Sequence, residues 1–82
     1  MSTPVPVRYF AAAAEAAGTD TESLMAATAG ELRAAMVEAH GAELERVLER
    51  CTLLADGVRL DSPSAPIAAG VTVDVLPPFA GG

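Results

Sequence analysis

Val73-Asp74-Val75-Leu76-Pro77-Pro78-Phe79-Ala80-Gly81-Gly82 closes the chain, and the remainder is organised around it. Val71, Val73 and Val75 alternate with Thr72 and Asp74, the period of a strand with one apolar face. The strand stops at Pro77-Pro78, because each proline fixes its own φ, supplies no N–H to a ladder and drives the preceding residue toward extended conformations. Pro-Pro is therefore a stiff exit from the body. Beyond it, Phe79 to Gly82 reach at most about 13 Å at about 3.3 Å per extended residue, far enough to enter a neighbouring active site. Gly81 and Gly82 lack a Cβ, so a narrow channel can admit them. The competing reading is a frayed terminus, since most chain ends are poorly ordered and two terminal glycines arise by chance in roughly one chain in 200.

Upstream, Val5, Val7, Tyr9 and Ala11 alternate with Pro6, Arg8 and Phe10, which predicts a first strand over Val5–Ala11. Ala12–Ala17 is a helix-forming run with Gly18 as its left-handed stop. Thr19-Asp20 fits a turn and Thr21–Ala26 a second strand paired with the first. Thr28-Ala-Gly-Glu31 has capping-box spacing, with Thr28 accepting from the Glu31 N–H and Glu31 reaching back to the Thr28 N–H. A helix follows, with Leu32, Ala35, Met36 and Ala39 on one face and Arg33, Glu38 and His40 toward solvent, ending near Gly41. Glu43–Arg50 is again helical in pattern, and its spacing fits either a second helix or a continuation. Thr52–Ala55 reads as a strand, Asp56-Gly57 as a hairpin turn and Val58–Leu60 as the returning strand. A loop spans Asp61–Pro66, Ile67 plugs the core beneath it, and Gly70 turns the chain into the last strand. Strands in the order β-β-α-β-β-β with a main helix on one sheet face make the fold α+β.

At 82 residues the chain is one small domain that buries around 60% of its unfolded surface. The 51% hydrophobic content is inflated by alanine and there is no tryptophan, so the expected core is thin. No apolar run approaches the 18 or so residues of a bilayer span, and Met1–Pro6 lacks the basic and apolar regions of a secretory signal, so the expectation is a cytoplasmic protein without membrane attachment. Eleven acids against five arginines leave a net charge of −6, which argues against nucleic acid and for basic protein surfaces as partners. Without lysine, the chain cannot form side-chain isopeptide bonds to itself. Cys51, alone, cannot form an internal disulfide and is read as a small core residue; no Cys/His cluster exists for a metal. His40 is read as a surface residue with no identifiable partner to orient it for catalysis. Nothing here has the constitution of a catalytic pocket: there is no nucleophile with a base, no pair of catalytic acids and no phosphate loop.

The terminal block Gly70-Val-Thr-Val-Asp-Val-Leu-Pro-Pro-Phe-Ala-Gly-Gly82, with Val7-Arg-Tyr-Phe-Ala-Ala-Ala-Ala-Glu-Ala-Ala-Gly18, Gly30-Glu-Leu-Arg-Ala-Ala-Met36 and Leu54-Ala-Asp-Gly-Val58, resembles the MoaD/ThiS-type sulfur carriers. These are small ubiquitin-like proteins, and Pro77-Pro78 leans toward the branch that holds the small subunit of molybdopterin synthase. Phe79 departs from the family, where a smaller residue such as Val is commoner. The resemblance implies a ubiquitin-like β-grasp, a mixed sheet with one main helix packed on it, divided into a body over 1–76 and a projecting tail over 77–82. It also implies a chemistry. A terminal carboxylate has a pKa near 3.5 and is a poor electrophile at neutral pH. An E1-like enzyme would spend ATP to adenylate Gly82, and a sulfur donor protein would displace AMP to leave a thiocarboxylate. Gly82 is then the reacting residue, Gly81 gives clearance, Pro77 and Pro78 hold the tail outward, and Ala80 and Phe79 contact the partner. No cofactor would be bound by the chain itself, and the catalytic pocket would belong to the large subunit of molybdopterin synthase. Two alternatives stay open: a carrier for cysteine, thiamine or transfer-RNA thiolation or a ubiquitin-like modifier, and a β-grasp interaction module with an inert tail.

Overall fold

In the computed structural model, which describes residues 2–78, the elements run β1 (Thr3–Tyr9), α1 (Ala12–Ala17), β2 (Thr21–Ala26), α2 (Ala29–His40), α3 (Ala42–Leu48), β3 (Thr52–Ala55), β4 (Val58–Arg59) and β5 (Val73–Leu76). Five strands form one mixed sheet in the order β2-β1-β5-β3-β4. The first and last strands are parallel neighbours at its centre, Val7 opposite Val73 and Tyr9 opposite Val75. All other pairs are antiparallel. This is the ubiquitin-like β-grasp.

Alternation decides which side of the sheet is covered. Val5, Val7 and Tyr9 of β1, Ala26 of β2 and Val73 and Val75 of β5 are buried on the helical side. Against them pack Leu32 and Met36 of α2, Leu44 and Leu48 of α3, Ala13 and Ala17 of α1, and Ile67 from the loop before β5. Burying each large aliphatic side chain contributes about 1.5–3 kcal/mol, and alanine fills much of the remainder, so the core is as thin as its composition suggests.

β1 begins two residues earlier than its alternation alone predicts and ends at Tyr9 rather than Ala11. Pro4 and Pro6 lie within it, although proline cannot donate to a ladder. Their register explains the tolerance. The Tyr9 N–H donates to the Asp20 carbonyl, so by antiparallel alternation Val7, Val5 and Thr3 bond to β2, while Pro4 and Pro6 turn their nitrogens the other way. There β5 pairs only with residues 7–9, and no bond is lost. The strand ends because Ala11 adopts φ 55°, redirecting the chain into α1. α1 in turn closes at Gly18 in the left-handed region, φ 75°, with its N–H on the Ala14 carbonyl.

At the start of α2, Thr28 Oγ1 accepts from the Glu31 N–H at 3.2 Å, one half of the expected capping box. The other half is shifted by one residue, since Glu31 Oε1 accepts from the Ala27 N–H at 2.8 Å. The next free donors are taken by the loop over Asp61–Pro66: Ala29 donates to Ala65 and Gly30 to Pro63. A Cβ on Gly30 would lie 3.0 Å from the Pro63 carbonyl oxygen, so the helix end and loop are in contact. Gly41, at φ 90°, breaks the helical path, and 42–48 form a separate helix, α3. Asp56 and Gly57 both have positive φ, as a two-residue hairpin turn requires. The last strand starts at Val73 rather than Val71.

Candidate functional site

β5 is paired on both sides, by β1 as far as Val75 and by β3 as far as Leu76, opposite Thr52. Pro77 continues this line. It is buried, and by extension of the register it stands beside Cys51, whereas Pro78 is exposed in a turn. The chain therefore leaves the sheet from its most firmly held strand. Phe79, Ala80, Gly81 and Gly82, the expected partner contacts and reacting residue, lie outside the described residues.

A groove of about 440 Å³ opens beside the exit, lined by Arg46, Val47, Glu49, Arg50, Pro77 and Pro78 among others. Arg46 lies in the last turn of α3 and Arg50 in the turn that follows it. Neither forms an ion pair among the described residues, whereas Arg8 pairs with Asp74 and Arg59 with Asp61. Two guanidiniums without an ion pair among the described residues thus flank the tail root, with the carboxylate of Glu49 in the same lining, and can meet an anionic group. The sequence carried the signal in their four-residue spacing, but only the fold brings them to Pro77.

The sheet face away from the helices is open. Register places Pro4, Pro6, Arg8, Leu54, Asp74 and Leu76 on it, with Phe10 at 38% exposure near the tail end. At its centre Arg8 grips Asp74 through two bonds of 2.7 and 2.9 Å, and its guanidinium lies 5.7 Å from the Phe10 ring centroid. An apolar strip with a neutralised ion pair at its middle can be covered by a partner without stranding a charge.

His40 departs from expectation. Instead of facing solvent without a partner, it sits at the end of α2 with Nε2 2.5 Å from Glu22 Oε2. The same oxygen accepts from the Tyr9 hydroxyl, and the Tyr9 and His40 rings meet edge to face. This cluster spans β1, β2 and α2, with its Tyr9 opposite Val75, two residues before Pro77. Cys51 is half-buried against the core, and burial pushes its thiol pKa up, which keeps it protonated and unreactive at neutral pH. Among the described residues no three His, Cys, Asp or Glu side chains gather as metal ligands, and no helix is long and apolar enough to cross a membrane.

Comparison with known proteins agrees with this geometry. SAMP1 from Haloferax volcanii is 29% identical, with a TM-score of 0.79 over 98% of this chain and 100% of that one. A chain of the complex of subunits 1 and 2 of molybdopterin-converting factor from Helicobacter pylori is 26% identical, TM-score 0.72, over 98% of this chain and 100% of that one. SAMP1 from Methanosarcina acetivorans, at 20% identity, shares the fold with a TM-score of 0.82 over 100% of this chain and 99% of its own. No curated protein matches the chain. The sequence profile of the ThiS family matches residues 7–82, and the chain accordingly belongs to the ThiS family, a sulfur carrier or ubiquitin-like modifier by class.

Proposed function

We propose that this protein carries sulfur on its C-terminus for molybdopterin synthesis, as the small subunit of molybdopterin synthase. The observation that carries this reading is the union of a terminal Gly81-Gly82 with a strand held by β1 as far as Val75 and by β3 as far as Leu76, directly before the buried Pro77. An E1-like enzyme uses ATP to convert the Gly82 carboxylate to an acyl-adenylate, releasing pyrophosphate. The terminal sulfur of a donor protein's persulfide then attacks that carbon; a C–S bond forms and the C–O bond to AMP breaks, leaving an acyl disulfide. A second thiol of the donor attacks the donor's sulfur, breaks the S–S bond and releases the thiocarboxylate as the donor disulfide forms. The large subunit supplies the pocket in which the pterin precursor takes up that sulfur. The open sheet face and the groove at Arg46 and Arg50 are the surfaces on which these partners would settle, while Gly81 and Ala80 thread the active site and Phe79 anchors beside it. The similarity to a chain of the H. pylori subunit 1 and 2 complex supports this branch.

Protein modification is the second reading, supported by the 29% identity to H. volcanii SAMP1. Both readings need an activated Gly82, and they differ in the acceptor. Incubation with ATP, an E1-like enzyme and a sulfur source, followed by intact-mass measurement, is expected to show one terminal oxygen exchanged for sulfur, and deletion of Gly82 is expected to abolish the exchange. Adding the large subunit and the pterin precursor should then yield dithiolene product. If the mass never changes, the carrier reading fails. If sulfur is loaded but passes to no pterin, and Gly82 instead appears in amide linkage to lysines of other proteins, the modifier reading replaces it.

A further inference from the structure

β2 is the outermost strand on one side of the sheet, and its free edge runs alongside α2. Because Glu22, Leu24 and Ala26 bond to β1, the N–H and C=O groups of Ser23 and Met25 face outward. None of these four groups has a partner among the described residues, while the Thr21 carbonyl is already taken by the Thr19 hydroxyl. Proline, lysine and an inward-turned charge are the usual devices that protect such an edge; Ser23 and Met25 supply none of them, and the inward-turned Glu22 before them is engaged by Tyr9 and His40. Met25 is instead 57% exposed.

A shallow groove follows this edge. Leu24 and Met25 form one wall, Ala34, Ala35 and Ala39 of α2 the other, with Ser2 at one end and Glu31 and Glu38 on the rim. The alanines leave α2 low enough for side chains of a strand laid against β2 to rest on it. No basic residue lines the groove, and the carboxylates of Glu31 and Glu38 fix its sign. We propose that the β2 edge is a docking site for an extended segment of a partner protein whose α2-facing positions, every second residue, are apolar at the centre and arginine or lysine at the ends. That segment adds a sixth strand by hydrogen bonds to Ser23 and Met25; side chains of one parity share a face, so its α2-facing apolar side chains lie on Leu24, Ala34, Ala35 and Ala39 while the basic ones of the same parity reach Glu31 and Glu38. A second copy of this chain fits less well, since edge-to-edge pairing would bring two acidic rims and two net charges of −6 together.

The site is separate from the tail, so its test does not depend on sulfur transfer. The probe is a capped peptide with arginine, valine, valine and arginine at successive alternate positions and threonine between them, titrated into the full-length protein and followed by amide NMR and hydrogen exchange. Binding is expected to shift Ser23, Leu24, Met25 and the α2 alanines, and to slow amide exchange at Ser23 and Met25 by at least about tenfold, as new ladder bonds do. Deleting Gly82 should leave these shifts intact. A peptide N-methylated at alternate residues, which cannot complete the ladder, should not bind, and Glu38→Lys should weaken binding several-fold while thermal unfolding stays unchanged. Ser23→Pro, with its folding checked by thermal unfolding, removes one edge donor and should weaken peptide binding several-fold. Absence of shifts at millimolar peptide, shifts confined to the open sheet face, equal binding of the N-methylated peptide, or a dimer by sedimentation that excludes the peptide would each overturn the proposal.

Discussion

Tyr9→Phe removes one oxygen, yet its effect on stability should reverse with pH. The Tyr9 ring is 3% exposed, and its hydroxyl donates to Glu22 Oε2 at 2.5 Å. Burial first, then the hydrogen bond and the negative charge of Glu22, push the phenol pKa far above its ordinary value. An unfolded chain loses this proton near about pH 10, whereas the folded chain keeps it. The unfolded state therefore binds fewer protons above that pH, and wild-type stability falls by about 1.4 kcal/mol per pH unit from this residue alone. The contribution is complete below about pH 10 and fades as pH climbs toward the folded pKa. At neutral pH, loss of a bond to a charged acceptor costs about 1.5–3 kcal/mol, and the lower end applies because Glu22 keeps His40 and some contact with water. Phenylalanine does not titrate, so the gap between the two proteins should close by about 1.4 kcal/mol per unit and vanish near about pH 11. Cys51 and the other titrating groups are common to both chains and cancel in the difference. Urea unfolding of both proteins from about pH 8 to pH 11.5 measures the gap. Phenolate absorbance gives an independent reading, because the chain has one tyrosine and no tryptophan. A gap that stays constant with pH, or phenolate appearing near pH 10 in folded protein, would refute the reasoning.

Other substitutions test other parts of the construction. Leu32→Ala empties the centre of the core, where the side chain is fully buried, and should cost about 2–5 kcal/mol in chemical denaturation without changing the m-value. Gly30→Ala should destabilise by about 1–2 kcal/mol despite alanine's better helix propensity, because the new methyl meets the Pro63 oxygen at 3.0 Å and stretches the 2.8 Å Gly30–Pro63 bond; an unchanged or higher melting temperature would show that the loop yields freely. Gly81→Val should leave the melting temperature unaltered while lowering adenylation of Gly82 by the activating enzyme at least about tenfold, measured as ATP-dependent pyrophosphate release, since a branched side chain obstructs a channel shaped for glycine.

The fold was most legible where local chemistry is strong. α1 over Ala12–Ala17, β2 over Thr21–Ala26 and β3 over Thr52–Ala55 occupy the predicted residues because Gly18, the Thr28 cap and Asp56-Gly57 fix their ends. Limits set by distant partners were harder to read. β1 starts at Thr3 because β2 pairs that far, and two prolines argue locally against a strand there. The break between α2 and α3 turns on Gly41, whose positive φ no spacing of apolar residues reveals. His40 was missed because its partners, Tyr9 and Glu22, lie 31 and 18 residues away. A clue existed: Glu22 shares the inward parity of Leu24 and Ala26 on β2, and a carboxylate turned toward a core needs a donor. At the candidate site, the terminal glycines and both prolines are legible in sequence, but the placing of Arg46 and Arg50 at the tail root and the apolar outer face depend on sheet order, which alternation does not encode.

Placing the newest-made strand at the centre of the sheet affects when this protein can exist at all. Without Val73–Leu76, the β1-β2 and β3-β4 hairpins have no common neighbour, so a chain still emerging from the ribosome holds two disconnected ribbons and half a core. The keystone is made after every other element of the body, so the sheet can lock only once residues 2–76 have all emerged. A partner that recognises the assembled sheet would thereby pass over chains that still lack β5.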